Sequence, residues 1–395
     1  MFQSKRSNPV ENKKPTKLCI VATVPMSIIS FYGEQIDFLT DRGFEVTVIT
    51  SPDREFDGRI SRKARLVLIP MTRTISPWRD LVAFIKVFSC IRKGSFDIVQ
   101  YSSVKAALLG SLSSWLCRVP VRLYLMWGLY FTGRYGLKRE FLKYFDKMVC
   151  FFSTAVSPDS NGNMQVAVEE KLCPSSKLSV VGNGSANGID LSRFDPQRLK
   201  EEGRIIRESL LIPPSAVVVG FVGRLCRDKG INELVRAFVD LSEQHPDLYL
   251  LLVGPQEADE NEYDPHDAAT LAGHERIISV GYKDRPEEYL SAMDIFVLPS
   301  YREGFGIVNI EASAMELPVI STDIPGPRDS VLDGHTGILV PAKSVDPLRE
   351  AIKTLYDDPH LRLKMGRAGR EWAKCFEQRL MWQLIYTHRQ ALLQD

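Results

Sequence analysis

From Lys17 onward the chain alternates short apolar runs with helical segments, and it does so in two separate series. This alternation is what most narrows its possible folds. The first series reads LCIVATV, a helical FYGEQIDFLTDRG, FEVTVIT, ARLVLIP, a helix over 81–93, FDIVQYS, a helix over 106–117, VRLYLMW, a basic helix near 138–147, and MVCFFST. Near-continuous apolar strands separated by helices bury both faces of a sheet, which calls for parallel pairing with helices on either side. The stretch SVVGNGSANGIDLSRFDPQRL, dense in Gly, Asn, Ser and Pro, then interrupts the pattern as a loop and linker. The second series runs AVVVGFVGR, a helix over 231–245, LYLLLVG, RIISVGY, a helix around 286–293, DIFVLPS, a helix starting near Gly306, PVISTDI and a helix over 345–356. The expected fold class is therefore α/β, with two Rossmann-like doubly wound parallel-sheet domains over 1–195 and 196–375. Ligands of such sheets sit at the carboxyl ends of the strands, so the cleft between the halves is where chemistry is expected.

Composition sets outer bounds. A chain of 395 residues with 44% apolar and 25% charged residues is an ordinary two-domain soluble protein. The longest apolar runs, around 81–91, 104–117 and 148–156, are too short or too broken to span a bilayer. The opening MFQSKRSNPVENKKPTK has neither an apolar signal core nor a small-residue cleavage site, so a cytoplasmic location is expected. Seven scattered cysteines with no C-x-x-C pair support neither a zinc site nor a disulfide framework. The net charge of +1 hides an asymmetry: residues 1–200 hold 29 Lys and Arg against 17 Asp and Glu, and the remainder 21 against 32. A basic half beside an acidic one fits an anionic partner for the first half, although solvated charge on two ordinary faces explains it equally well.

Two loops carry residues suited to chemistry. In LPSYREGFGIVNIEASAMELPVISTDIPGPRDSVLDGHTGILVP, over 298–341, a strand ends at Pro299 and is followed by Glu303-Gly304-Phe305-Gly306 and a helix bearing Glu311. Loop amides and a helix N-terminus converge there as an anion cradle. A carboxylate accepts hydrogen bonds from vicinal hydroxyls, so Glu311 suits a ribose and Glu303 a hexose hydroxyl. The competing reading has Glu303 capping the helix and Glu311 solvated on its surface. In FVGRLCRDKGINEL, Arg224 and Lys229 lie just past a strand's carboxyl end, where two cations can neutralise a diphosphate. Taken alone, such a pair is more often an ordinary surface feature of a helix start.

Together these segments resemble the retaining glycosyltransferases of family 4, over nearly the whole chain. The Glu303 and Glu311 pair, PSYREGFG, GRLCRDKG and PVISTDIPGPRDSVLDGHTGILV look like that family's donor domain. VATVPMSIISFYGEQIDFLTDRGFEVTVIT, MTRTISPWRD, FDIVQYSSVKAALLG and VVGNGSANGIDLSRF look like its capsular polysaccharide and O-antigen branch. The resemblance implies a GT-B fold, with residues 376–395 forming a helix that returns to the first domain. It implies a nucleotide-diphosphate sugar, UDP-sugar by family habit, as co-substrate, a lipid-linked saccharide acceptor, no metal and no other cofactor. Carried over by position, Arg224 and Lys229 bind the donor diphosphate and stabilise its departure, and Glu303 holds a hydroxyl of the transferred sugar. Glu311 holds the ribose, Gly223 and Gly304 belong to the donor loops, and the amides of Phe305, Gly306 and Ile307 complete the anion site. Trp127 and Lys105 fall on the acceptor side.

The sequence departs from the family pattern in two places. All six histidines lie at or after His245, and Trp127 stands in LYLMWGLYF where many relatives carry a histidine. A tryptophan exchanges no proton, so it acts by stacking or through its N–H. After the first strand, Pro25-Met26-Ser27 replaces a frequent glycine pair. The segment FTGRYGLKREFLKYFDKMVCFF mixes Arg134, Lys138, Arg139, Lys143 and Lys147 with aromatics, which fits peripheral docking on the anionic inner face of a membrane. Nucleic acid is not an expected partner. Within the same fold a nucleotide-sugar 2-epimerase would need acid and base groups on both sides of the sugar, and a first domain without histidine disfavours it. A non-catalytic nucleotide-sugar-binding module is the other alternative. An NAD-dependent oxidoreductase needs G-x-G-x-x-G after the first strand, and VATVPMSIIS has no glycine.

Overall fold

The computed structural model describes residues 14–53, 57–72, 76–256 and 264–394, and its strands form two six-stranded sheets. The first contains β1 (Thr16–Val21), β2 (Phe44–Thr50), β3 (Arg65–Leu68), β4 (Ile98–Tyr101), β5 (Val121–Met126) and β6 (Ala155–Pro158), in the order β3-β2-β1-β4-β5-β6. The second contains β7 (Val217–Val222), β8 (Leu248–Val253), β9 (Ile277–Ser279), β10 (Ile295–Leu298), β11 (Val319–Thr322) and β12 (Gly337–Val340), in the order β12-β11-β10-β7-β8-β9. The described pairings are parallel, with Leu18 opposite Val46 on one side and Ile98 on the other. Leu18, Cys19, Ile20 and Val21 are all fully buried, as strands covered on both faces must be. Each sheet reverses its strand order once, between β1 and β4 and between β7 and β10. At such a switch point the flanking loops diverge and leave a crevice at the strands' carboxyl ends. By compactness the chain divides within β5, between Leu123 and Tyr124.

The helices follow their apolar spacing. Helix Ile231–Ser242 buries Ile231, Leu234, Val235, Phe238 and Leu241, a stripe at helical spacing laid on the second sheet. It stops short of His245 because the residue before Pro246 is disfavoured in helical backbone. In three places the local pattern misleads. The first helix starts at Pro25, where a proline's fixed φ and missing N–H suit the first turn, and Gly33 separates helix Pro25–Tyr32 from helix Gln35–Thr40. MVCFFST is not a strand: helix Gly136–Phe152 runs on through it, burying Val149 and Cys150 while leaving Phe151 71% exposed, and the strand is the shorter Ala155–Pro158. Helices Asn161–Glu169, Lys200–Ser209, Pro265–Gly273 and Pro359–Ala373, and strand β12, add to the elements expected above. The closing helix Gln378–Leu392 buries Met381, Trp382 and Ile385. Among the described residues no helix is long and apolar enough to cross a membrane. The expectations for residues 1–13, and for the centre of MTRTISPWRD at 73–75, lie outside the described residues.

Candidate functional site

The second sheet's switch point brings two loops together. After β7, Leu225 and Cys226 are buried and anchor a loop on which Arg224 is exposed. A single helical turn, Arg227–Lys229, ends at Gly230 in left-handed backbone (φ 74°). A Cβ on Gly230 would stand 2.1 Å from the Pro299 carbonyl oxygen, so only glycine lets this loop reach the end of β10. The consequence is an ion pair between Lys229 and Glu303. Ser300 Oγ donates to the same Glu303 Oε1 at 2.7 Å, and the Tyr301 N–H donates to the Asp228 carbonyl at 2.9 Å. Glu303 is therefore no helix cap: helix Ile307–Ala314 has Gly306 (φ 78°) at its N-cap, with no side-chain capping bond. Phe305 is buried, its ring packed against Phe376 with centroids 5.2 Å apart.

Gly304 is held on three sides. Asn163 Nδ2 and Ser160 Oγ donate to its carbonyl oxygen at 2.6 and 3.0 Å. A Cβ there would lie 2.2 Å from Asp159 Oδ2 and 3.1 Å from the Gly128 nitrogen. Asp159 is buried, and its carboxyl accepts from Asn163 Nδ2 at 3.2 Å and from the Gly128 N–H. Burial, seconded by the charge of Glu303, pushes that carboxyl up to about 7. One turn further on, the Gly162 N–H donates to Asp329 Oδ2 at 2.8 Å. Sequence reasoning missed Asp159, Ser160, Asn163 and Asp329. PDSNG reads locally as a turn opening a helix, which it is, with Ser160 Oγ accepting from the Asn163 N–H, and nothing local announces a partner so far along the chain.

Glu311 follows on helix Ile307–Ala314. It is half-buried rather than the solvated surface carboxylate of the competing reading, and desolvation pushes it up to about 7, with the charge of Arg193 opposing and that of Glu287 adding. Arg193, from the interdomain linker read above, donates to Glu287 Oε2 at 2.8 Å and to the Asp284 carbonyl at 3.2 Å, which fixes a cation near Glu311. Trp127 is half-buried, and its neighbour Gly128 packs against Gly304, so the Trp127 turn adjoins the Glu303 loop. Lys105 has other company. It lies after β4 in the first turn of helix Val104–Leu116, with Nζ 2.6 Å from Asp80 Oδ1 and 3.2 Å from Thr72 Oγ1. At the same switch point Thr23 Oγ1 lies 2.8 Å from Ser103 Oγ.

Helix Gly136–Phe152 departs in part from the basic, aromatic face expected of it. Phe131 is in the core, and Arg139 and Lys143 are both paired with Glu170. Tyr135, Leu137, Phe141, Tyr144 and Phe151 are exposed, Leu137 by 90%.

Family models and curated relatives are glycosyltransferases, and a solved structure shares the fold. Residues 203–372 match the model for glycosyl transferases group 1, and residues 33–184 match that for a glycosyl transferase 4-like domain. The capsular polysaccharide biosynthesis glycosyltransferase CapM of Staphylococcus aureus is 30% identical over 389 residues, covering 97% of this chain and 99% of the relative. The UDP-Gal:alpha-D-GlcNAc-diphosphoundecaprenol alpha-1,3-galactosyltransferase of Escherichia coli is 25% identical over 336 residues, 84% of each chain. Among solved structures, HepE of Anabaena in complex with UDP and glucose superposes with a TM-score of 0.77 at 17% identity, covering 95% of this chain and 99% of that one.

Proposed function

Because this chain belongs to the family 4, group 1 glycosyltransferases of GT-B fold, we propose that it moves a hexose or N-acetylhexosamine from a nucleotide-diphosphate sugar to a polyprenyl-diphosphate-linked saccharide in surface polysaccharide synthesis. UDP is the nucleotide this reading favours. The observation that carries it is the Lys229–Glu303 pair at the β7/β10 switch point, with Arg224 on the same loop and the partly desolvated Glu311 on the helix that follows. In this reading Arg224 and Lys229 neutralise the donor diphosphate, and Lys229 shifts its charge from Glu303 to the phosphate as the leaving group becomes more negative. Glu303 then accepts from a hydroxyl of the transferred sugar, and Glu311 accepts from the ribose. The amides of Phe305, Gly306 and Ile307 add donors to the anion, aided by the positive end of the helix. Trp127 orients sugar or acceptor through its ring or N–H.

The acceptor oxygen forms a bond to the anomeric carbon on the face from which the phosphate oxygen departs, and the acceptor's proton passes to that oxygen. Configuration is retained and no covalent nucleophile is needed. Two cations supply the charge stabilisation that a divalent ion would otherwise give, so turnover persists in chelator. The acceptor's lipid places the enzyme peripherally at the cytoplasmic face of the membrane, with Tyr135, Leu137, Phe141, Tyr144 and Phe151 as the apolar contact.

A thermal-shift titration with UDP, GDP and ADP in chelator tests the donor site. UDP at about 100 times its Kd adds about 2.7 kcal/mol, a rise of a few degrees in Tm. The expected result is such a rise for the wild type and its loss in Glu311→Ala. No shift with any of the three nucleotides would overturn the reading.

A further inference from the structure

We infer that Arg134, Arg302 and Lys343 form the subsite that receives the diphosphate of the lipid-linked acceptor, a reading that rests on the function proposed above. Arg302 directly precedes Glu303, and its guanidinium donates to Asp228 Oδ2 through Nη2 at 2.9 Å and Nε at 3.2 Å. Arg134 Nη2 reaches the same oxygen at 3.6 Å. One carboxylate thus serves two guanidinium groups and neutralises only one charge. The aliphatic part of Arg302 lies along Gly133, where a Cβ would stand 3.1 Å from Cδ, and its guanidinium sits 4.6 Å from the Tyr130 ring centroid. Lys343 completes the cluster. Its Nζ rests 5.0 Å from the Tyr301 ring centroid and 5.5 Å from that of Tyr135, and among the described residues it pairs with no carboxylate.

The aromatic rings hold Arg302 and Lys343 in place without cancelling their charge. Against the three cations stand Asp228 and Glu233, the latter accepting from Tyr301 Oη at 2.7 Å, so the surface keeps an excess of positive charge, stiffened by stacking, beside the Lys229–Glu303 pair. A dianionic or trianionic group with several acceptor oxygens satisfies two guanidinium forks and an ammonium at once. Helix Gly136–Phe152 begins at this place, with Tyr135 as its N-cap, no side-chain cap and no acidic residue in its first turn, so its positive end reinforces the preference.

The identity of the anion follows from what adjoins it. Leu137, Phe141 and Tyr144 lie at helical spacing on one face of the helix, all exposed, and this apolar stripe starts two residues from Tyr135. A polyprenyl chain stays in the bilayer, so its phosphates must meet the protein where an apolar surface gives way to cations. The donor's phosphates are already accounted for at Arg224 and Lys229.

The test measures binding of farnesyl diphosphate, inorganic diphosphate and farnesol by calorimetry with saturating UDP, which occupies the donor site. Wild type is expected to bind farnesyl diphosphate more tightly than either of the others. Lys343→Ala and Arg134→Gln should each weaken it about tenfold while leaving the UDP thermal shift unchanged, which also reports that the variants fold. Equal affinity of wild type and both variants for farnesyl diphosphate would overturn the assignment. Inorganic diphosphate binding as tightly as the farnesyl form would also overturn it, by leaving a free-anion site with no lipid preference. Absence of any UDP shift in wild type is a different failure, that of the donor reading, and this inference falls with it.

Discussion

The two sheets share a strand order and reverse it at the same step, yet their switch points are furnished differently. Beyond β1 and β4 stand a hydroxyl pair, Thr23 with Ser103, and a closed ion pair, Lys105 with Asp80. Beyond β7 and β10 stand Arg224, the Lys229–Glu303 pair and a glycine loop gripped by Asp159, Ser160 and Asn163. Identical topology supplies a crevice in both cases, and the loops decide what the crevice can hold. In the proposed function, Lys229 follows charge onto the phosphate once Glu303 turns to a sugar hydroxyl. Lys105 is instead held between Asp80 and Thr72.

Removing each lysine in turn produces the largest expected difference between the two switch points. Lys229→Ala should slow the chemical step by about 10²-fold or more, because leaving-group charge grows in the transition state, whereas Lys105→Ala should cost less than about tenfold. Single-turnover rates of sugar transfer separate the two, and comparable losses would erase the distinction. Next in size is Gly304→Ala. Its methyl group meets Asp159 Oδ2 and the Gly128 nitrogen, so a loss of about 1–3 kcal/mol in stability and a drop in kcat are expected. Adding Asp159→Ala should recover part of both, since it removes the nearest obstacle; no recovery in denaturant melts and kcat would show that the grip lies elsewhere.

A smaller effect sharpens the donor side. Glu311 has its carboxyl raised to about 7, so it is mostly ionised at pH 8 and mostly protonated at pH 6. The ionised form is the better acceptor for ribose hydroxyls, and UDP affinity should fall by up to about tenfold from pH 8 to pH 6, beyond the change seen in Glu311→Gln. Titration calorimetry at the two pH values reads this directly, and parallel pH profiles would detach Glu311 from the ribose. The smallest effect concerns helix Gly136–Phe152: Phe141→Ser with Tyr144→Ser should weaken binding to anionic vesicles severalfold in flotation, while the UDP shift stays as it was.

Much of this was legible locally. Strands such as Val217–Val222 and Leu248–Val253 announce themselves because burial on both faces demands an unbroken apolar run. The loops bearing Lys229 and Glu303, and the helix that carries Glu311, follow closely on strand ends, and short range is where sequence speaks clearly. Strand Ala155–Pro158 was not legible, since AVSP is short and partly polar while the apolar run before it belongs to a helix. The grip on Gly304 was equally hidden, because Asp159 and Asn163 act across more than a hundred residues of chain.

The alternation of elements, hence the doubly wound sheets, and the residue types at the strand ends are written in the chain itself. Periodicity and turn chemistry are local properties, and each is written within one element. Which of those residues meet depends on the folded arrangement. Lys229 and Glu303 are joined because Gly230 lets one loop reach the end of β10. Asp159 became a buried partner of the Glu303–Gly304 loop, and Arg134 joined Arg302 on one carboxylate, because packing brings distant backbone into contact only where glycines leave room. Close approach and desolvation are properties of the folded arrangement, and no single stretch of chain carries them.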